Sequence, residues 1–191
     1  VEAKTPRSAI FHPTTIITTN PLHSKNPTSQ AMSLPQALAL PLEPNTLYIL
    51  LLDLGGNCLF EWKLYLTSTP TTGQTFHITN ETGPTSWQHK SEVVYNIASN
   101  ARVVLALQIG AVGPVLHAAL GARLALVPLA LYSARFRESL SCRVWVQEAL
   151  FALDDEGYLG LARSVGDIEQ EARQLGMLNK SRGARSVVRS R

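Results

Sequence analysis

FRESLSCRVWVQEALFAL, residues 136–153, decides how this chain is read. Cys142, Trp145, Val146, Ala149, Leu150 and Leu153 recur at spacings of three and four, which marks one apolar helical face ending before Asp154-Asp155-Glu156-Gly157. Ser141 stands where a capping hydroxyl is wanted, so Cys142 falls at the start of the helix. N–H groups and the helix dipole favour a thiolate there. The same cysteine also has an ordinary reading as a small core residue, because cysteine is among the most buried side chains. A base standing opposite it would decide between the two.

Outward from this helix, the preceding chain reads as strands. Residues 47–54 (LYILLLDL) form a continuous apolar run of strand length, closed by the turn signal Gly55-Gly56-Asn57. Residues 58–66 alternate, with Trp62, Leu64 and Leu66 on one face and Glu61, Lys63 and Tyr65 on the other. Residues 67–73 make a hairpin loop, residues 74–79 (QTFHIT) return as a third strand, and residues 80–84 form another turn cluster. Residues 80–90 are read as loop.

Residues 103–132 carry only Gln108, His117 and Arg123 as strongly polar side chains, which raises the question of a membrane span. Gly110, Gly113, Pro114, Gly121 and Pro128 divide the run. It is therefore expected as a buried strand over 101–109, a short helix over 115–122 and another strand over 123–131. Peripheral membrane contact by this region stays open. A last helix is expected over 165–175, with Asp167 as its cap.

The ends differ in composition from the body. Residues 1–46 are rich in Thr, Ser, Pro and Asn and are expected to be a disordered arm, with an ordered domain over 47–176. The 191 residues thus hold one domain, and 45% hydrophobic content is enough for one core. Residues 177–191 contain Lys180, Arg182, Arg185, Arg189 and Arg191 without an acid, and are expected to be a basic disordered tail. Setting those five cations aside leaves 12 bases against 14 acids, so the formal charge of +3 does not indicate nucleic-acid binding. Two cysteines, Cys58 and Cys142, without a CxxC or a secretory signal, suit a reducing compartment, and cytoplasm is the default. His12, His23, His89 and His117 have no metal-ligand spacing with the cysteines, and phosphate-binding, dinucleotide and Gly-x-Ser-x-Gly motifs are missing. No metal or cofactor is expected.

Read in order, an apolar strand is followed by FEWKLYL (60–66), GQTFH (73–77), Trp87, LALQIG (105–110), Val127-Pro128 and SCRVWVQEAL (141–150). This order resembles a fungal protein family with a His-Trp strand, a Gly-x-x-x-His strand, an isolated Trp, an Ile-Gly strand end, a Val-Pro strand and a Cys-x-x-Trp-Val helix. That family in turn is similar to the circularly permuted papain-like fold of the lecithin:retinol acyltransferase and small phospholipase/acyltransferase group, and to bacterial cell-wall peptidases of the NlpC type. The likeness covers residues 47 to about 175.

The resemblance implies an α+β fold, a small antiparallel sheet with packed helices. It implies Cys142 as nucleophile and His77 as the supporting histidine, while Glu61 occupies the place of the base. A carboxylate there raises the thiol pKa by like-charge repulsion and is a poor proton shuttle at neutral pH. His77 as base with Glu61 orienting its ring would be a rearranged Cys-His-Glu set. Two functions follow: a thiol hydrolase or acyltransferase acting on an acyl or amide carbonyl of a small substrate, or a catalytically inactive papain-like fold serving as an interaction domain for a protein partner.

Overall fold

The computed structural model describes residues 39–56 and 59–191. Strand β1 (Thr46–Asp53) is the centre of the sheet, and this explains its unbroken apolar run. Leu47, Ile49 and Leu51 enter the main core, whereas Tyr48, Leu50 and Leu52 enter a second cluster on the opposite face. A strand covered on both faces does not alternate. The next strands form a meander: β2 (Phe60–Thr67), β3 (Thr72–Thr79) and β4 (Gln88–Tyr95). Gly73, the second residue of β3, lacks a side chain where a Cβ would fall on the Leu66 carbonyl and the Tyr65 ring.

On the other side of β1 lies β5 (Val103–Ala111), also antiparallel to it. Helix α1 (His117–Ala125) follows, then a small hairpin of β6 (Tyr132–Ser133) and β7 (Glu138–Ser139). Helix α2 (Cys142–Asp155) and helix α3 (Val165–Arg182) complete the helical layer, and β8 (Ser186–Arg189) joins the sheet last. The sheet order is β4-β3-β2-β1-β5-β8, with β8 parallel to β5, so this α+β fold has a mixed sheet where a purely antiparallel one was expected. Trp62, Leu64, Phe76 and Ile78 pack beneath the helices with Leu120, Leu124, Trp145, Leu150 and Ile168.

Several expectations need correction. The strand expected over 123–131 is absent: α1 runs to Ala125 because Leu120 and Leu124, one turn apart, are both buried, and Pro128 lies in the loop beyond. Residues 88–90, read as loop, begin β4. The basic tail is ordered. α3 continues seven residues past Leu175 to Arg182, closed by Gly183 at φ 59°, and its cap is Ser164, not Asp167. The Asn179 amide donates to the Val104 carbonyl at 2.8 Å, Lys180 is bound to Asp53, and Arg185 donates to the carbonyls of Val103, Ala98 and Asn100. Those cations are held by acceptors of the folded domain, the Asp53 carboxylate and the carbonyls of residues 98, 100 and 103.

At the other end, the disordered arm expected over 1–46 concerns mainly residues 1–38, which lie outside the described residues, as does Cys58. Residues 39–46 are placed. The Leu40 N–H donates to the Ala98 carbonyl at 3.1 Å, and Leu40 and Leu42 are buried in the second cluster. Among the described residues no helix is long and apolar enough to cross a membrane.

Candidate functional site

Ser141 is extended and its hydroxyl accepts from the Val144 N–H at 3.2 Å, which starts α2 at Cys142. The buried face of the helix, led by Val144, Trp145, Ala149 and Leu150, packs over β2 and β3 and fixes the cysteine against the start of β2. There the ladder is incomplete: β2 pairs with β3 only through Leu64–Thr67, and residues 60–63 have no β3 partner. The Cys142 sulfur occupies this opening, 4.0 Å from the Phe60 carbonyl oxygen.

Burial pushes the Cys142 thiol up from its ordinary value. The N–H groups of Trp62, Arg143 and Cys142 itself favour the thiolate, the Glu61 carboxylate opposes it, and burial prevails. Leu59, Phe60, Trp62, Arg143 and Arg173 line a shallow cleft over the sulfur. Its two guanidinium groups are already engaged: Arg143 is bound to Glu138 and lies 3.3 Å from Glu169, and Arg173 lies 3.8 Å from the same Glu169 oxygen. Both cations thus share their charge with carboxylates.

His77 and Glu61 belong to the other face. Trp62 and Leu64 on β2, and Phe76 and Ile78 on β3, point into the helix-side core, so the intervening Glu61, Lys63 and His77 leave the sheet on the far side. There they meet. The Lys63 ammonium lies 3.4 Å from the His77 Nε2 and 2.8 Å from Glu61, and Arg102 stands 3.8 Å from Glu61. His77 is 5% exposed. Burial lowers its pKa, the Lys63 charge lowers it further, and Glu61 opposes both. A neutral ring beside an ammonium accepts at Nε2 and carries its proton on Nδ1, which has no hydrogen-bond partner among the described residues.

Of the three expected site residues, the structure thus brings together Glu61 and His77, through Lys63. Cys142 approaches from the helix side, and among the described residues no hydrogen bond joins it to His77. Lys63 was not among the expected site residues, although the apolar parity of Trp62, Leu64 and Leu66 puts it on one face with Glu61. No family model, curated protein or solved structure matches the chain.

Proposed function

We propose that this chain is a catalytically inactive domain of the permuted papain-like type that works by binding a protein partner. The observation that carries this reading is the division of the Cys-His-Glu set: the thiol meets β2 from the helix side, while the imidazole leaves the sheet on the other side with its acceptor nitrogen already opposite an ammonium. A general base must come within about 2.6–3.2 Å of the proton it removes, directly or through one water. A partly buried thiol whose pKa is pushed up by desolvation is a poor nucleophile at neutral pH. The test is the rate at which a thiol-reactive probe labels Cys142 in a Cys58→Ser background. Labelling no faster than in the denatured chain is the expected result, and labelling much faster at neutral pH would overturn it.

A second reading, a thiol hydrolase or acyltransferase acting on an acyl or amide carbonyl through Cys142, is favoured by the position of the cysteine at a capped helix start beside an open cleft. It requires acyl transfer onto the sulfur. Incubation with an activated acyl ester followed by intact-mass measurement separates the two: an adduct lost in Cys142→Ala supports the enzyme, and an unmodified chain supports the binding domain.

A further inference from the structure

The two edges of the sheet are unequally guarded. β8 is four residues long and carries Arg189, whereas β4 presents an edge eight residues long, QHKSEVVY, without a proline. Among the described residues, the backbone of β4 is hydrogen-bonded only toward β3. Exposed edges of this length are pairing templates, which proteins ordinarily blunt. Val93 and Tyr95 are 61% and 71% exposed on it.

We propose that β4 pairs antiparallel with the β4 of a second copy of this chain, about a two-fold axis through Ser91. The charge pattern selects both the partner and the register. Centred on Ser91, the pairing sets Lys90 opposite Glu92 of the other copy, twice, His89 opposite Val93, and Trp87 opposite Tyr95. Centred one residue earlier it sets Lys90 against Lys90, and one residue later Glu92 against Glu92. Like charges directly opposite are destabilising, and opposite charges are favourable. In one copy alone, Lys90 lies 3.5 Å from its own Glu92 and 3.8 Å from Glu81, on an exposed surface.

The neighbouring helix fits the same axis. α1 covers β3 and β4: a Cβ on Gly121 would stand 3.3 Å from the Phe76 ring, and Gly121 and Ala125 line one small cavity with His89 and Ser91. Ala118, Ala122 and Ala125 are exposed, as are Val115 and Leu126 at 90% and 74%. With strands about 4.8 Å apart, pairing at the β4 edge brings the two α1 axes to within roughly 10–14 Å, close to helix packing distance. Small side chains let them approach. The two copies would bury an otherwise unpartnered apolar helix face together with the strand edge, in the isologous manner of two-fold dimers.

The experiment is sedimentation of the full chain across a concentration series, with circular dichroism to confirm folding of each variant. The wild type is expected to be dimeric. Lys90→Glu and Glu92→Lys, each alone, are expected to weaken the dimer at least tenfold while remaining folded, and the double exchange Lys90→Glu/Glu92→Lys to restore it. With Cys58 and Cys142 replaced by serine, Ser91→Cys should cross-link to itself under mild oxidation and Lys90→Cys should not. A chain monomeric at all concentrations overturns the proposal. So does a dimer indifferent to both single reversals, or one cross-linked equally through position 90.

Discussion

The two faces of this sheet are both buried, but they are buried differently. The helix-side face is predominantly apolar, with His89 against Trp145 among its few polar side chains, and it holds the Cys142 thiol at the gap where residues 60–63 of β2 have no β3 partner. The far face mixes a smaller apolar cluster with a row of charge, Arg102–Glu61–Lys63–His77. Each face is chemically coherent by itself. The two-residue period of β2 and β3 puts Glu61 and His77 on the face opposite Trp62, Leu64, Phe76 and Ile78.

The largest effect expected from breaking this arrangement lies in the helix-side core. Trp145, 1% exposed, packs edge-on to His89 with ring centroids 5.7 Å apart. Trp145→Ala should cost about 3–5 kcal/mol in urea denaturation, the usual range for removing a large buried aromatic. Leu50→Ala in the far-face cluster should cost about 2–5 kcal/mol by the same scale. Because Trp145 is the larger loss in the larger core, a smaller loss there than at Leu50 would show that the helical layer is not the principal support.

Acid should act through the other face. The His77 pKa is held below its ordinary 6.5 in the folded chain by burial and by Lys63, so the unfolded chain takes up the proton first. The stability tied to a neutral His77 is therefore complete above pH 6.5 and is lost as pH falls from there toward the folded value. The slope from this one group is at most about 1.4 kcal/mol per pH unit. His77→Phe should flatten that segment of a stability-against-pH curve, and an unchanged slope would assign the acid sensitivity elsewhere. Lys63→Met should raise the His77 pKa in an NMR titration, since a depressing charge is removed, while leaving the labelling rate of Cys142 unaltered. A change in both would mean that the faces communicate.

The parts of this molecule legible in the sequence were those whose local pattern carried its own reason. β1 is read from its apolar run, β2 from its alternation, and α2 from the Ser141 cap and the spacing from Cys142 to Leu153. β4 was not legible, because an edge strand with polar residues on both faces, Gln88, Lys90, Ser91 and Glu92, shows no period. β8 depends on β5, some 80 residues away, and Lys180 and Arg185 look solvated until Asp53 and the carbonyls of residues 98–103 are placed beside them. For the site, motif order identified Cys142, Glu61 and His77 but carried no information about sides. The parity of the neighbouring apolar residues did: Trp62 and Leu64 flank Lys63, and Phe76 and Ile78 flank His77.

The smallest expected effect tests the one influence that crosses between the faces. Glu61 raises the Cys142 thiol pKa, though less than burial does and less than the Trp62 and Arg143 N–H groups lower it. Glu61→Gln removes the charge at nearly constant volume. The pH at which Cys142 becomes half-reactive toward a thiol probe, in a Cys58→Ser background, should move down and yet stay above the ordinary thiol value, because desolvation is untouched. A shift large enough to make the thiol reactive at neutral pH would mean that the carboxylate, and not burial, silences this cysteine. Glu61 would then be what keeps the thiol protonated.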